Sequence, residues 1–391
     1  VLNNCKNISP INSQHKAIAK TESISMAEFF KNEMKGTFKR GMVCFDIGGG
    51  STDIAIWQGS NNDKPVGQCS LMFAGQDIFN RQLFKKRNIL LGFESNDDAL
   101  NAFIKRLVDI PAGEQDQFNM ELEALLKYKQ NILLEGLKSN SECGNVKLFL
   151  RNIAFALSGI FYYAGGIVGE CLDFSDKNQS LPHCFVGGNA SKLLDWVAEG
   201  NYAISQKFED VYTAFLRVAV FRKQNLMKNQ VAFNVLQSSN PKEEVAYGLV
   251  CDTVSASNIQ NNTYENEVYD PLADLGINTI DQYDDKSLLA GEKIWINGNA
   301  YEDLMITTND VQKGISVDAN LPNFKSFLNA FNAILSRKQI PLINFGEREF
   351  DELKDQTNEY LDQQSRLQAN EINLEPPFII ILKQALELLS K

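Results

Sequence analysis

The sequence has little positive charge and few of the residues that bind metals or act as nucleophiles. It contains 38 Lys and Arg against 49 Asp and Glu, for a net charge of −11, and its only histidines are His15 and His183. An acidic chain without a basic stripe repels polyphosphate backbones, so we expect no nucleic-acid partner. The seven cysteines include no CxxC pair, so neither a zinc site nor a disulfide framework is visible. This use of cysteine is typical of a reducing, cytoplasmic setting.

The sequence also lacks an apolar run of the ~20 residues that a membrane-spanning helix needs. Its longest apolar stretch, residues 153–168, is shorter and contains one serine and three glycines. We therefore expect a buried helix there and no membrane span.

Hydrophobic periods predict an alternation of strands and helices. Between residues 41 and 75, three apolar runs alternate in the strand manner, with turn residues between them. Helical periods follow in four stretches, residues 77–137, 148–173, 210–236 and 322–391, with a short strand predicted at 184–186. Residues 253–290 are rich in Asn, Asp, Thr and Ser and predict an exposed connection.

A run of glycines separates two of the predicted strands. Residues 44–57 read CFDIGGGSTDIAIW. No lysine follows the glycines, as it would in a P-loop. The next segment alternates like a strand, whereas a dinucleotide-binding loop opens a helix. The motif therefore predicts a hairpin of the form strand–GGGST–strand.

The predicted hairpin is also suited to hold an anion. Glycines allow backbone angles that are closed to other residues, so the N–H groups of residues 48–51 can converge on phosphate oxygens. Asp46, at the end of the first strand, could hold Mg²⁺ through water, because magnesium favours carboxylates together with substrate phosphates. A plain glycine turn is the alternative that the motif alone leaves open.

Five segments resemble, in the same order, segments of the actin, heat-shock chaperone and sugar-kinase ATPase superfamily. They are TESISMAEFF (21–30), DIGGGSTDIA (46–55), FAGQDIFNRQL (73–83), FVGGNASKLL (185–194) and NPKEEVAYGLV (240–250). In that order they are similar to the first connecting helix, the second phosphate-binding segment, a chaperone segment with an Asn-Arg pair, the adenosine-binding strand–Gly-Gly–helix element, and the chaperone segment that follows it.

The resemblance implies a fold and a division of the chain. The fold would be α/β, an actin-like ATPase (ribonuclease H-like) second lobe with an added, mostly helical C-terminal region. Residues 1–40 would be the fringe of the first lobe with the connecting helix, and residues 41–250 the second nucleotide-binding lobe. Residues 251–391 would be a C-terminal appendage, mostly helical after an Asn/Asp-rich connection.

The resemblance also implies roles by position, with ATP or ADP and Mg²⁺ as cofactors. Asp46 and Glu22 would be the catalytic acids, and Asp46 would lie near the attacking water and hold the Mg²⁺ ion through water. The other positions would contact the nucleotide: Gly48, Gly49, Gly50, Ser51 and Thr52 at the phosphates, and Gly187, Gly188, Asn189, Ser191 and Lys129 around the ribose and adenine. Leu126 and Ser191 depart from the chaperone pattern, which has an acid and an arginine there.

The function implied is the nucleotide-binding lobe of a chaperone-like or actin-like ATPase, in which ATP drives a conformational switch. This superfamily clamps nucleotide between two related lobes, and the sequence contains no second Asp-x-Gly-Thr hairpin. We therefore expect a fragment that hydrolyses ATP poorly by itself and that partners with the missing first lobe or another protein. Two alternatives are a non-catalytic scaffold that retains the fold and a filament-forming bacterial actin homologue.

Overall fold

The computed structural model describes most of the helical and strand segments of the chain. The described residues are 22–34, 41–58, 65–92, 97–139, 144–172, 183–194, 234–238, 243–250, 294–296, 299–301, 307–308, 315–318, 320–337, 341–367, 372–373 and 375–390. Within them the fold is mixed α/β, as the sequence predicts, with helices packed around a small mixed sheet.

A five-stranded sheet lies at the centre of the described residues, in the order β3-β2-β1-β4-β5. Its strands are β1 (Gly41–Ile47), β2 (Thr52–Gln58), β3 (Gly67–Leu71), β4 (His183–Gly187) and β5 (Asn234–Gln237). β1 pairs antiparallel with β2, and β2 pairs antiparallel with β3. β4 pairs parallel with β1, and β5 pairs parallel with β4. β2 is therefore the strand that runs against the other four.

The strand predictions for residues 41–75 and 184–186 are confirmed by this sheet. The helix predicted over residues 210–236 is wrong at its end, where Asn234–Gln237 form the edge strand β5. Four residues are too few to show a period of their own, and their partner β4 is distant in sequence. Residues 201–233 lie outside the described residues.

The two faces of the sheet are covered by different helices. Side chains alternate along β1, so Val43 and Phe45 enter the main core on one face, while Met42 and Cys44 enter a smaller cluster on the other. Helix α1 (Glu22–Met34) covers that second face, where the Phe30 ring stacks on Phe185 with 4.2 Å between ring centroids.

Five helical segments lead from the end of β3 into the main core. A π-helix (Gln76–Asn80) continues into α2 (Arg81–Lys85), and a 3₁₀ helix (Arg87–Gly92) follows. Next come α3 (Asp98–Asp109) and α4 (Gln115–Ser139). α3 begins where the Asp97 side chain accepts a hydrogen bond from the Leu100 N–H at 3.1 Å, an N-cap that satisfies one of the free amides of the first turn.

Helix α5 (Gly144–Cys171) is the central helix of the main core. Among the described residues it is the helix whose length and composition would suffice to cross a membrane. Its most apolar stretch is entirely buried inside the fold, which is the behaviour of a core helix. The buried helix predicted over residues 153–168 is confirmed.

The described C-terminal residues are helical from Pro322 onward, as predicted, with short strands before and between the helices. Helix α6 (Glu243–Val250) comes earlier in the chain. The helices from Pro322 onward are α7 (Pro322–Arg337), α8 (Glu347–Leu367) and α9 (Pro377–Leu388). The strands are β6 (Ile294–Ile296), β7 (Asn299–Tyr301), β8 (Thr307–Thr308), β9 (Ile315–Val317) and β10 (Ile372–Asn373). They form a three-stranded sheet, β7-β6-β9, and a β10-β8 pair.

Helices α7 and α9 share the main core with α5. The Phe155 ring of α5 lies 5.2 Å from Phe327 of α7, and the Tyr162 ring stacks on Phe378 of α9 at 5.5 Å. A Cβ at Gly159 of α5 would overlap a side chain of α9, so this glycine sets how closely the two helices approach. The domain boundary at residue 250 stays a prediction, but the C-terminal helices are part of one hydrophobic core.

The end of α9 is tied to α2 by polar contacts. Glu387 pairs with Arg81 at 2.7 Å and also with Lys85. The Ser390 hydroxyl donates a hydrogen bond to Gln82. These contacts hold the C-terminal helix against the helix that begins directly after the π-helix.

Helices α1 and α6 cross so closely that the crossing requires a glycine. A Cβ built on Gly248 would overlap the backbone carbonyl of Ser25 on α1. We expect Gly248→Ala to force the helices apart and to lower the free energy of unfolding by about 1–3 kcal/mol. Urea denaturation measures this loss. Gly113→Ala is the matched control, because nothing lies within 4 Å of its added Cβ; equal stability of both variants would contradict the predicted crossing.

Candidate functional site

The glycine run forms the tip of the β1–β2 hairpin, as predicted. The Gly48 N–H donates to the Ser51 carbonyl at 2.9 Å, so Gly49 and Gly50 make the turn. The carbonyls of Gly48 and Gly49 accept hydrogen bonds from the N–H groups of Gly75 and Gln76, at 3.1 and 2.7 Å. The loop is therefore braced from behind by the segment that follows β3.

This brace leaves one side of the loop available. Gly49 and Gly50 are exposed, and nothing lies within 4 Å of a Cβ at either position. Among the described residues, the N–H groups of Gly49, Gly50 and Ser51 have no hydrogen-bond acceptor. Successive free N–H groups on a turn with fixed carbonyls form a concave anion-binding surface. The loop can accept phosphate oxygens without moving its own carbonyls.

Three segments that are distant in sequence meet at the carboxyl end of β1, where the hairpin tip lies. Gly75 lies between the loop and the turn after β4: a Cβ there would lie 3.2 Å from the Gly48 carbonyl oxygen and 3.0 Å from the Ala190 Cβ. The hairpin tip, the segment at 73–76 and the turn at 187–191 are thus in mutual contact. These are three of the five segments that carry the sequence resemblance.

Asp46 lies at the centre of this meeting point. It is 7 % exposed, at the end of β1, directly opposite Asp53 of β2 and Gly187 of β4. Paired residues on neighbouring strands have their side chains on the same face of the sheet. Asp46 and Asp53 are such a pair, and their like charges repel. A Cβ at Gly188, which has φ of +82°, would overlap the Asp46 carboxylate, so Gly188 makes room for it.

Glu22 lies toward the same edge, beyond the ends of the strands. Phe30 stacks on Phe185, and one helical turn earlier the Met26 Sδ lies 2.8 Å from the position of a Cβ on Gly187. α1 therefore runs antiparallel to β4. Glu22 is exposed and begins the helix about 6 Å further along its axis, past the carboxyl end of β4.

The remaining predicted site residues differ in burial and in their hydrogen bonds. Thr52 is buried, and its hydroxyl donates to the Phe73 carbonyl at 2.7 Å, a contact that braces the hairpin. Asn189 is exposed beside Gly188, whereas Ser191 is fully buried and its N–H donates to the Gly188 carbonyl at 3.1 Å. Lys129 falls on α4, and its side chain lies outside the described residues.

Glu244 is a site residue that sequence reasoning missed. It is 1 % exposed, and its Oε1 lies 3.1 Å from the position of a Cβ on Gly187. In the sequence, Glu243 and Glu244 both resemble ordinary acids of a first helical turn. The available signal was spacing, since Glu244 precedes Gly248 by four residues and shares its face of α6.

The residues at this edge fit a magnesium ion that is held through water. Among the described residues, no group of three or more His, Cys, Asp or Glu side chains is placed to hold a metal by itself. Mg²⁺ usually keeps several waters and takes other ligands from substrate phosphates. The buried carboxylate of Asp46, at the end of the strand that leads into a loop with free N–H groups, matches that requirement.

The buried cysteines do not add a nucleophile. Burial raises the pKa of the Cys69 thiol to about 12, and the Asp53 carboxylate adds to the rise. Burial also raises the pKa of the Cys171 and Cys184 thiols above the ordinary value. These thiols therefore remain protonated and unreactive at neutral pH.

Comparisons with known proteins do not supply a family. No protein-family model and no curated protein matches the chain. The functional assignment therefore depends on the geometry of this edge and on the motif resemblance.

Proposed function

We propose that this chain is the nucleotide-binding lobe of an actin-like or chaperone-like ATPase, which binds ATP or ADP with Mg²⁺. The observation that carries the proposal is the meeting of three glycine-containing segments around Asp46. Such a convergence is not needed to close a hairpin, because a plain glycine turn requires no contact with a second and third segment.

The sheet order supports the same proposal. The hairpin is followed by a third antiparallel strand, and two parallel strands lie on its other side, which brings the hairpin tip beside the turn that follows β4. The carboxyl ends of β1 and β4 lie together, at the edge where open α/β sheets usually bind ligands. The proposed site lies at the carboxyl ends of these two strands.

In the proposed site, the residues of this chain would have separate roles in binding the nucleotide. The free N–H groups of residues 49–51 would bind the phosphates. The resemblance places the nucleoside near the turn at Gly187–Gly188. Mg²⁺ supplies charge neutralisation for the phosphates when it is bound. Asp46 would hold the ion through water, and Glu22 would approach it from the end of α1.

The proposal includes a partner. Phosphoryl transfer depends on positioning and on charge stabilisation from all sides of the phosphate, and the described residues supply one side. A first lobe, or another protein in its place, would close over the exposed loop. Hydrolysis by this chain alone would be slow.

Calorimetric titration of the full chain with ATP tests the proposal. With contacts from one lobe, we expect a Kd of roughly 0.1–1 mM in Mg²⁺, or about −4 to −5.5 kcal/mol. Tripolyphosphate should compete with ATP, because it can occupy the glycine loop without any contact to the nucleoside part of the site. Gly50→Val should weaken binding at least about tenfold with little loss of stability, since the added side chain would crowd the free N–H groups and its Cβ meets nothing within 4 Å.

Gly113→Val is the control for that variant, because Gly113 is also exposed with open space around it. It should bind ATP like the wild type. A folded wild-type chain that binds neither ATP, ADP nor tripolyphosphate at millimolar concentration would overturn the proposal.

A non-catalytic scaffold that retains this fold is the second candidate. The burial of Ser191 favours it, because that hydroxyl is directed away from solvent at a position where the resemblance places a base contact. The same titration separates the two functions, since a scaffold would be folded and stable without nucleotide affinity.

A further inference from the structure

A groove of about 440 Å³ lies between α7 and residues 343–350, which include the start of α8. None of its described lining residues belongs to the candidate nucleotide site. The volume is within the range of ligand-binding clefts, so the groove has room for a bound molecule. Apolar and aromatic side chains form its walls, and asparagine and lysine side chains supply its polar groups.

One wall of the groove holds a stretch of backbone through a carboxamide. The Asn332 side chain on α7 accepts a hydrogen bond from the Ile343 N–H at 2.8 Å and donates one to the Ile343 carbonyl at 2.7 Å. The N–H and C=O of one residue point to the same side in an extended chain, which is how paired strands exchange two hydrogen bonds. Asn332 therefore takes the place of a neighbouring strand.

Two further carboxamides line the groove. The side chains of Asn320 and Asn344 are exposed and make no hydrogen bond to other described residues. Each carboxamide has an acceptor oxygen and a donor nitrogen, the same pair of groups that Asn332 uses on the backbone of Ile343. The groove is therefore chemically suited to a second peptide backbone.

Lys325 adds a positive charge to the same groove. Its ammonium lies 4.7 Å from the centroid of the Phe350 ring, and no carboxylate among the described residues pairs with it. The first turn of α7 also contains no acid. A lysine without a counter-ion in a cleft attracts an anionic group and forms a charge-assisted hydrogen bond with it. The charge of the groove is therefore complementary to an acidic side chain.

The groove has the length of a short extended peptide. Its α7 side includes residues 322, 325, 329 and 332, which recur every three or four positions and so lie on one face of the helix. From Pro322 to Asn332 the helix rises about 15 Å. An extended chain rises about 3.3 Å per residue, so about four or five residues span this distance.

We propose that this groove binds an extended segment of a partner protein that carries an acidic side chain. The carboxylate pairs with Lys325, and the carboxamides of Asn320 and Asn344 pair with the peptide backbone. The apolar walls at Pro322 and Phe345 cover the side chains next to the acid. This binding site goes beyond the proposed nucleotide function and does not depend on it, because the two sites share no described residue.

Calorimetric titration of the full chain with blocked peptides tests the inference. The peptides acetyl-Ala-Leu-Glu-Leu-Ala-amide and acetyl-Ala-Leu-Gln-Leu-Ala-amide have the same shape and differ by one charge. We expect the wild type to bind the glutamate peptide about five- to tenfold more tightly, the effect of one charge-assisted hydrogen bond. N-acetylglutamate amide should bind at least about tenfold more weakly than the glutamate peptide, because it lacks most of the backbone hydrogen bonds.

Lys325→Met retains most of the stem that packs on Phe350 and removes the charge. It should bind both peptides equally, with the affinity of the wild type for the glutamine peptide. Lys354→Met is the matched control, because it removes a positive charge from α8 outside the described lining, and it should keep the full preference. Asn344→Ala should weaken the binding of both peptides about threefold or more.

A charge reversal gives a second test, which holds even if the methionine variant folds poorly. Lys325→Glu should prefer acetyl-Ala-Leu-Lys-Leu-Ala-amide over the glutamate peptide, because the sign of the charge in the groove is reversed. A role of Lys325 in stability alone would not exchange one peptide preference for the opposite one.

Each outcome decides one part of the inference. Equal affinity of the wild type for the glutamate and glutamine peptides, or a preference that persists in Lys325→Met, would overturn the acidic occupant. A wild type that binds none of the peptides at millimolar concentration, or that binds N-acetylglutamate amide as tightly as the pentapeptide, would overturn the peptide groove. ATP binding should be the same in Lys325→Met as in the wild type, so failure of the nucleotide proposal leaves this test intact.

Discussion

Replacing Gly188 with alanine should lower the free energy of unfolding by about 3 kcal/mol and abolish the proposed nucleotide binding. Gly188 has φ of +82° and ψ of 155°, a backbone region that is essentially restricted to glycine and costs other residues about 1–3 kcal/mol. The added Cβ would also lie 2.5 Å from the Ile47 carbonyl oxygen, which β1 holds in place, and would overlap the Asp46 carboxylate. Overpacking of this kind typically adds about 1–3 kcal/mol.

The two effects of Gly188→Ala share one cause and need separate measurements. Urea denaturation reports the stability, and calorimetric titration with MgATP under strongly folding conditions reports the site. Gly49→Ala is the matched control for stability, because a Cβ there meets nothing within 4 Å. A Gly188→Ala protein that is as stable as Gly49→Ala and binds MgATP like the wild type would contradict the geometry of this turn.

Replacing Phe378 with alanine should cost about 4 kcal/mol, the largest stability loss that we expect from a single core truncation. The Phe378 ring is fully buried and lies 5.5 Å from Tyr162, 6.0 Å from Tyr163 and 5.8 Å from Phe327. Its removal leaves a cavity between α5, α7 and α9, and aromatic neighbours collapse into such a space only partly.

Phe378→Ala also tests whether the C-terminal helices unfold with the sheet. If the core is cooperative, hydrogen exchange at the β1 and β2 amides should accelerate in the variant, although the ring contacts described for Phe378 are with helices α5 and α7. Phe103→Ala, at a partly exposed ring, should cost much less. A loss of protection confined to α9 would show instead that the C-terminal region unfolds as a separate unit.

Local features of the sequence were sufficient to predict several elements, among them the hairpin that contains the glycine loop. The glycine run between two alternating segments predicts the β1–β2 hairpin, and the long apolar stretch predicts α5. Pro322 stands at the first position of α7, where its missing N–H costs nothing. Each of these signals lies within one element, so the sequence pattern displays it directly.

The contacts that turn the hairpin into a candidate site were not predictable in this way. The hydrogen bonds from Gly75 and Gln76 to the loop carbonyls join residues about 27 positions apart through backbone atoms, which leave no mark on side-chain patterns. The burial of Glu244 depends on how closely α1 and α6 cross. The edge strand β5 depends on a partner, β4, that lies beyond a long connection.

The polar contacts between α2 and the end of α9 have a consequence for synthesis. The Ser390–Gln82 hydrogen bond spans 308 positions, and α9 begins about 200 residues after α5 ends. At ordinary translation rates of about 5–20 residues per second, the ribosome needs roughly 10–40 s to synthesise the residues between the end of α5 and the start of α9. During this interval the side chains of α5 that pack against α9 stay exposed, and exposed apolar surface of this kind makes a nascent chain prone to aggregation.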